Sequence, residues 1–365
     1  MKRVSFVLAI AVAATGCDEK KPTSDVKSAS VAPQPGEAPK AAPPPAWEVE
    51  NPAKPLPTAP AGVQADFASL KFKVTPETVR LGRWLFFDKR LSADGTISCA
   101  TCHRPENAFS EPTAVSTGIK GQKGGRKSPS FVNGAWPIFP NFFWDGRASS
   151  LVEQAKGPIA NPIEMGNTHE AVVATIGKIA GYKPYFEKAF GDGNVTIDRI
   201  AEAIAAYEAT RLSGGSAYDK GTMTDEQKAG RDLFNGKAQC NLCHLGANFT
   251  DAQFHNLGIG WDAKKKAFAD EGRAAISKKD EDKGAFKTPT LRDVSKHAPY
   301  MHDGSLATLK AVVEHYNKGG NANPQLSKKI KKLGLTPKEV DAVVAFMQAL
   351  DGEGYADTAP TQFPQ

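Results

Sequence analysis

Two short stretches constrain this chain more than anything else in it: Cys99-Ala100-Thr101-Cys102-His103 and Cys240-Asn241-Leu242-Cys243-His244. Each puts two thiols and an imidazole on one short turn, the C-x-x-C-H signature of c-type haem attachment. Two thioether bonds use the cysteines, and the imidazole takes one face of the iron. Cys99, Cys102, Cys240 and Cys243 are therefore the expected attachment residues, with His103 and His244 as iron ligands. The chain has 5 cysteines. The fifth, Cys17, lies outside both motifs, so none is left to pair in disulfides, although an exported chain can form them. A disulfide framework built from the other four would leave the repeated spacing and the following histidines without a reason. Two covalent haems also bear on fold class, because each supplies the apolar centre that a small helical domain needs.

The start of the sequence reads as an export signal. Lys2 and Arg3 precede an apolar run, residues 4–14, that is too short to span a bilayer. Ala14-Thr15-Gly16-Cys17 resembles a bacterial lipobox with Ala14 where leucine is usual. Cys17 would then be the lipidated first residue of a periplasmic protein anchored to a membrane; ordinary signal cleavage is the alternative. Residues 18–64, rich in Pro, Ala, Lys and Ser around Pro43-Pro44-Pro45, read as an extended tether. A length of 365 residues suits about two folded domains, placed at 65–213 and 214–352 with a tail at 353–365. The net charge of +6 is spread along lysine-rich segments. It suits an acidic partner protein and does not form a nucleic-acid footprint.

Periodicity predicts helices. Val79, Leu81, Trp84, Leu85 and Phe86 share one face after a start at Thr75-Pro76-Glu77. Further helices are expected over 170–179, 197–211, 308–318 (capped by Thr308, stopped by Gly319-Gly320) and 337–350. Gly82-Arg83-Trp84-Leu85-Phe86 is echoed by Gly230-Arg231-Asp232-Leu233-Phe234, each shortly before a C-x-x-C-H, as expected of two related haem domains. Residues 118–125 read as a flexible glycine-rich loop, 212–216 as a linker, and 264–284 as a charged, exposed excursion. Strand signals are sparse, so the fold class is mainly α: two cytochrome c-like haem domains with long loops.

The motifs between and after the haem sites resemble those of the bacterial di-haem cytochrome c peroxidase and MauG family. They are Phe143-Trp144-Asp145-Gly146-Arg147-Ala148, Glu153-Gln154-Ala155-Lys156-Gly157-Pro158, Asn161-Pro162-Ile163-Glu164-Met165-Gly166, Thr288-Pro289-Thr290-Leu291-Arg292 and Ala298-Pro299-Tyr300-Met301-His302-Asp303-Gly304. The resemblance runs from about Leu81 to Leu350. It implies haems near the domain interface, the first a peroxide site and the second a six-coordinate haem that passes electrons. It implies that Trp144 couples the haems, that Glu164 is the carboxylate that moves the peroxide proton, and that Gln154 is its polar neighbour.

Two departures from the family pattern are informative. Many di-haem peroxidases have a blocking histidine in the loop after the first site. Here Ile119-Lys120-Gly121 stands in its place, which implies an iron open to peroxide without prior reduction. On the helix after Thr308, Leu309, Val312, Val313 and Tyr316 form one apolar face. Tyr316 falls where the usual peroxidases have a methionine ligand and MauG-type enzymes a tyrosine. Its hydroxyl needs a partner, either a backbone carbonyl or, by the resemblance, the second iron. Met301 is the rival ligand. The family's calcium site usually takes an asparagine after an arginine. Arg126 is followed instead by Lys127, whose ammonium repels calcium, so calcium is left open.

The expected function is reduction of hydrogen peroxide with electrons from a small cytochrome c or similar donor. A MauG-like oxidation of partner-protein side chains is the alternative. A non-catalytic electron-transfer cytochrome is the third reading, opposed by Glu164 and by the missing loop histidine. A homodimer is compatible with the sequence, but no stretch requires one.

Overall fold

The computed structural model describes residues 43–136 and 140–365; the export signal and Cys17 lie outside them. The first long helix, Pro76–Phe87, starts on a reciprocal cap. The Thr75 hydroxyl accepts from the Thr78 amide at 3.2 Å, and the Thr78 hydroxyl accepts from the Thr75 amide at 2.8 Å. Together these satisfy two amides that a helix start leaves without partners. Leu81, Trp84, Leu85 and Phe86 point inward and are fully buried. The helix Asp225–Asn235 repeats the arrangement, with Thr224 and Gln227 as its cap.

The glycine echo now has a physical reason. A Cβ on Gly82 would stand 1.8 Å from the Ala203 carbonyl oxygen in the helix Ile197–Ala209. One on Gly230 would stand 1.9 Å from the Ala342 carbonyl oxygen in the helix Pro337–Gln348. Each glycine lets the helix ahead of a C-x-x-C-H press its backbone onto a partner helix, which only a residue without a side chain permits.

Two apolar cores form on these crossings, within the compact unit Pro44–Gln365. The first gathers Leu81, Trp84, Phe86, Phe109, Ile204 and Tyr207. The second gathers Phe234, Phe249, Val313, Val343 and Phe346. The remaining long helices are Leu151–Ala160, His169–Lys178, Lys183–Phe190 and Leu309–Asn317. Among the described residues, sheet is confined to two antiparallel pairs, Phe254–Asn256 with Ala285–Lys287 and Trp261–Asp262 with Ala267–Phe268. The architecture is mainly α, as expected.

Several segments that read as loose are packed. In the stretch assigned to the tether, Trp47 packs against the first core, and Asn51 is buried with its amide donating to the Arg80 carbonyl at 3.0 Å. The expected linker is buried too: Asn133 holds Ser213 through two hydrogen bonds of 2.8 and 2.9 Å. Gly214 and Glu353 pair backbone to backbone. The charged excursion reaches back, with Asp270 on Arg126 at 2.6 Å and Arg273 donating to the carbonyls of Asp145 and Gly146. The tail returns to the first core, where Tyr355 is buried and Asp357 takes Arg83 and the Tyr207 hydroxyl at 2.9 and 2.8 Å.

Candidate functional site

Both C-x-x-C-H turns present their histidines in the same way. The Nδ1 of His103 meets the Phe109 carbonyl at 2.9 Å, and the Nδ1 of His244 meets the Phe249 carbonyl at 2.9 Å. Phe109 and Phe249 both sit in the left-handed region, at φ of 56° and 51°. A carbonyl only accepts, so Nδ1 carries the hydrogen in each ring. Nε2 keeps its lone pair, the form that binds a metal. Burial holds both imidazoles below the usual histidine range. The four motif cysteines are free of disulfides. Burial pushes the Cys102 thiol up to about 11 and the Cys240 thiol up to about 12, the character of sulfurs in an apolar cradle rather than of reactive thiolates.

A cavity opens beside each turn, about 520 Å³ at the first and about 180 Å³ at the second. Paired cysteines and a metal-ready imidazole on the wall of each fit a covalently attached haem. The structure brings Trp144, Gln154 and Glu164 to the wall of the first cavity together with Cys99, Cys102 and His103. Glu164 follows the helix Leu151–Ala160, on a turn where Asn161 donates to its Oε1 at 3.0 Å. Burial raises its pKa, while the Arg147 guanidinium and the Asn161 amide pull it back down. The loop expected to be flexible is pinned over it. The Ile119 amide donates to the Glu164 carbonyl at 2.8 Å, and a Cβ on Gly118 would lie 2.0 Å from the Ile163 carbonyl oxygen. Lys120 is exposed and lies off the cavity wall.

The second cavity is lined by Cys240, Cys243 and His244, and opposite them in the sequence by Met301, Leu309, Val312, Val313 and Tyr316. The apolar face read on the helix Leu309–Asn317 therefore points into this space. Burial pushes the Tyr316 phenol well above its usual range, and the sulfurs of Cys240 and Cys243 add to the effect. Met301 lines the same wall from a residue at φ of 74°.

Trp144 lines both cavities. Its indole N–H donates to the Lys127 carbonyl at 2.9 Å, and its own carbonyl accepts from the Lys287 amide at 2.8 Å. Lys127 is buried and Lys287 half-buried, and desolvation lowers each to about 8. The Lys127 ammonium donates to the carbonyls of Glu111 and Thr113.

Three wall residues were not found as site residues from sequence: Arg147, Glu208 and Lys287. Arg147 lies in a motif quoted above, and Glu208 is a lone acid within the apolar run Ala203-Ile204-Ala205-Ala206-Tyr207-Glu208-Ala209. That run was the one signal available. Among the described residues, one further grouping has metal-ligand character: Cys243, Asp251 and His255. It shares its cysteine with the second attachment motif.

A family model described as di-haem cytochrome c peroxidase matches residues 76–228. The methylamine utilization protein MauG of Methylorubrum extorquens is 40% identical over 296 residues, covering 79% of this chain and 82% of that one. This chain belongs to the di-haem cytochrome c peroxidase family. As a di-haem peroxidase it is an oxidoreductase with two c-type haems. The cytochrome c551 peroxidase of Pseudomonas aeruginosa is 37% identical over 320 residues, covering 81% of this chain and 89% of that one. Among solved structures, a MauG-like protein associated with microbial copper homeostasis superposes with a TM-score of 0.76 at 31% identity, covering 83% of this chain and 97% of that one. No helix among the described residues is long and apolar enough to cross a membrane.

Proposed function

We propose that this di-haem peroxidase reduces hydrogen peroxide in the first cavity, taking up two electrons and two protons to give two waters. The observation that carries the reading is Glu164: a half-buried carboxyl on the wall beside Cys102 and His103, held by Asn161 and faced by Arg147. When bound there, the haem supplies the redox chemistry. Glu164 takes the proton from the near peroxide oxygen and returns it to the leaving one. Gln154 lines the same wall and orients the ligand. The pinned loop carries no histidine, so it would offer no imidazole to the iron of a haem held in this cavity. Trp144, on both walls, couples this cavity to the second.

Tyr316 is the proposed second ligand to the other iron, with Met301 as the rival. An anionic oxygen donor there favours the oxidised state and lets that site hold an oxidising equivalent. The electron donor is a small cytochrome c or a similar protein. Leu242 and Leu245 are 46% and 47% exposed at the second attachment turn, and Lys329 reaches the Leu242 carbonyl at 2.9 Å. Lys329 and Lys331 also line that cavity, giving an apolar spot with a basic rim that suits an acidic partner. The Lys127 ammonium, on the wall of the first cavity, would supply the positive charge that a calcium ion brings. Export to the periplasm, lipidation at Cys17 and homodimer formation complete the proposal.

The first test is the resting ferric spectrum. A high-spin signal that reacts with peroxide before any reduction is expected, and a purely low-spin spectrum would remove the open-iron claim. A second reading is favoured by Tyr316 and by the 40% identity to MauG: oxidation of side chains on a partner protein. Turnover with reduced cytochrome c against turnover with a candidate protein substrate separates the two.

A further inference from the structure

Glu208 lies on the helix Ile197–Ala209, one turn after Ile204, and both line the first cavity. It is 6% exposed, and its Oε2 is fully buried with no hydrogen-bond partner. An unpartnered ionised carboxylate in such a place is costly, so the group is held as the neutral acid.

The charged groups on neighbouring elements are engaged elsewhere. From the helix Pro76–Phe87, Arg80 pairs with Glu48 and Arg83 with Asp357. Arg211, one turn further along the chain, lies 3.5 Å from the same Asp357. From the helix Leu151–Ala160, Lys156 pairs with Glu153 and Asp198. On the cavity wall, Arg126 takes Asp145 and Asp270, Arg147 takes Asp145, Lys127 reaches backbone carbonyls, and the Lys287 ammonium lies over the Phe142 ring at 5.6 Å. The ionisable neighbour that feels Glu208 is the Cys99 sulfur. Glu164, the other acid on this wall, differs in having both an amide donor and a guanidinium to support its charge. Two carboxyls on one cavity with opposed environments hold their protons differently.

We propose that Glu208 is the redox-linked proton site of the first haem: it carries a proton when the iron is reduced and releases it when the iron is oxidised. On oxidation one electron leaves the iron and one proton passes from the Glu208 carboxyl to water; reduction reverses both. The physical cause is charge. An added positive charge in a low-dielectric cavity stabilises a carboxylate that nothing else there supports. The proposal rests on haem attachment at Cys99 and Cys102, and not on the role given to Glu164 or on the identity of the donor.

The test is a spectroelectrochemical titration of the full-length holoprotein against pH, following the first haem's own absorption. Burial alone holds the Glu208 carboxyl at about 8, so wild type is titrated on both sides of that value. One proton per electron makes the reduction constant fall tenfold per pH unit, which is 59 mV. Wild type should show that slope, and Glu208→Gln, with no proton to release, should be flat there. A Glu208→Gln variant that keeps the wild-type slope overturns the proposal, as does a flat wild type. Glu208→Asp keeps a carboxyl and should keep the slope with its break displaced; an unmoved break also overturns it. Haem content of each variant reads attachment separately, and the peroxide reaction rate reads the proposed function, so the failures are distinguishable.

Discussion

Arg292 is the residue whose loss the structure prices most clearly. Its side chain is 1% exposed and so is that of its partner Asp219. Nη1 and Nη2 reach the two carboxylate oxygens at 2.5 and 3.0 Å, Nε donates to the Ala247 carbonyl at 2.8 Å, and Nη2 also meets the Gly62 carbonyl at 3.3 Å. One guanidinium thus ties the loop after His244 to two other segments. Arg292→Met removes the cation and leaves Asp219 buried with only Ser216 to support its charge, and breaking a buried pair from one side costs ~3–5 kcal/mol. With a urea slope of ~3 kcal/mol/M, the unfolding midpoint of the holoprotein should fall by about 1–1.7 M. The Asp219 carboxyl, held below its usual range by Arg292 and Ser216, should move up. Because Ala247 lies just after His244, the second haem's spectrum should shift while the first haem's stays. Arg292→Met combined with Asp219→Leu should recover much of the loss, since replacing both charges by apolar groups is often neutral. A single variant within ~0.5 kcal/mol of wild type, or a double variant worse than the sum of its parts, would refute this reasoning.

Four further outcomes are expected. Glu164→Gln should slow peroxide cleavage by ~10²–10⁴-fold with haem content intact; stopped-flow mixing with peroxide checks it. Glu164 is a base whose pKa burial raises and Arg147 lowers, so the rate falls as pH drops through that value. In Arg147→Gln the fall should begin at higher pH, and an unmoved pH profile would detach Arg147 from the site. Tyr316→Met should raise the second haem's potential and change its spectrum; an unaltered spectrum would point to Met301. Gly230→Ala puts a Cβ 1.9 Å from the Ala342 carbonyl oxygen and should cost ~1–3 kcal/mol by overpacking, read as a loss of thermal stability.

What the sequence made legible is what short-range chemistry decides. Helix starts at Thr75 and Thr308 follow from hydroxyls that cap an amide three residues on. The attachment turns follow from residues within one turn of each other. The packed segments escaped because their partners are far off in the chain. Asn51 is fixed by Arg80, Asp270 by Arg126, and Ile119 by Glu164, and no local composition announces such pairings. Glu164 and Trp144 were found through motifs. Glu208 was missed because one acid in an apolar helix face reads as a solvated edge until the fold shows which way it points.

The tail has a consequence for how the molecule is assembled. Tyr355 and Phe363 belong with the first core, and Asp357 closes on Arg83 and Tyr207. Domains tend to fold as they are synthesised, earliest residues first. Here the earlier core must wait for residues that follow the second haem site. The part of the chain that is made first is finished last, so a ribosome or an export channel releases the whole chain before the first core is sealed.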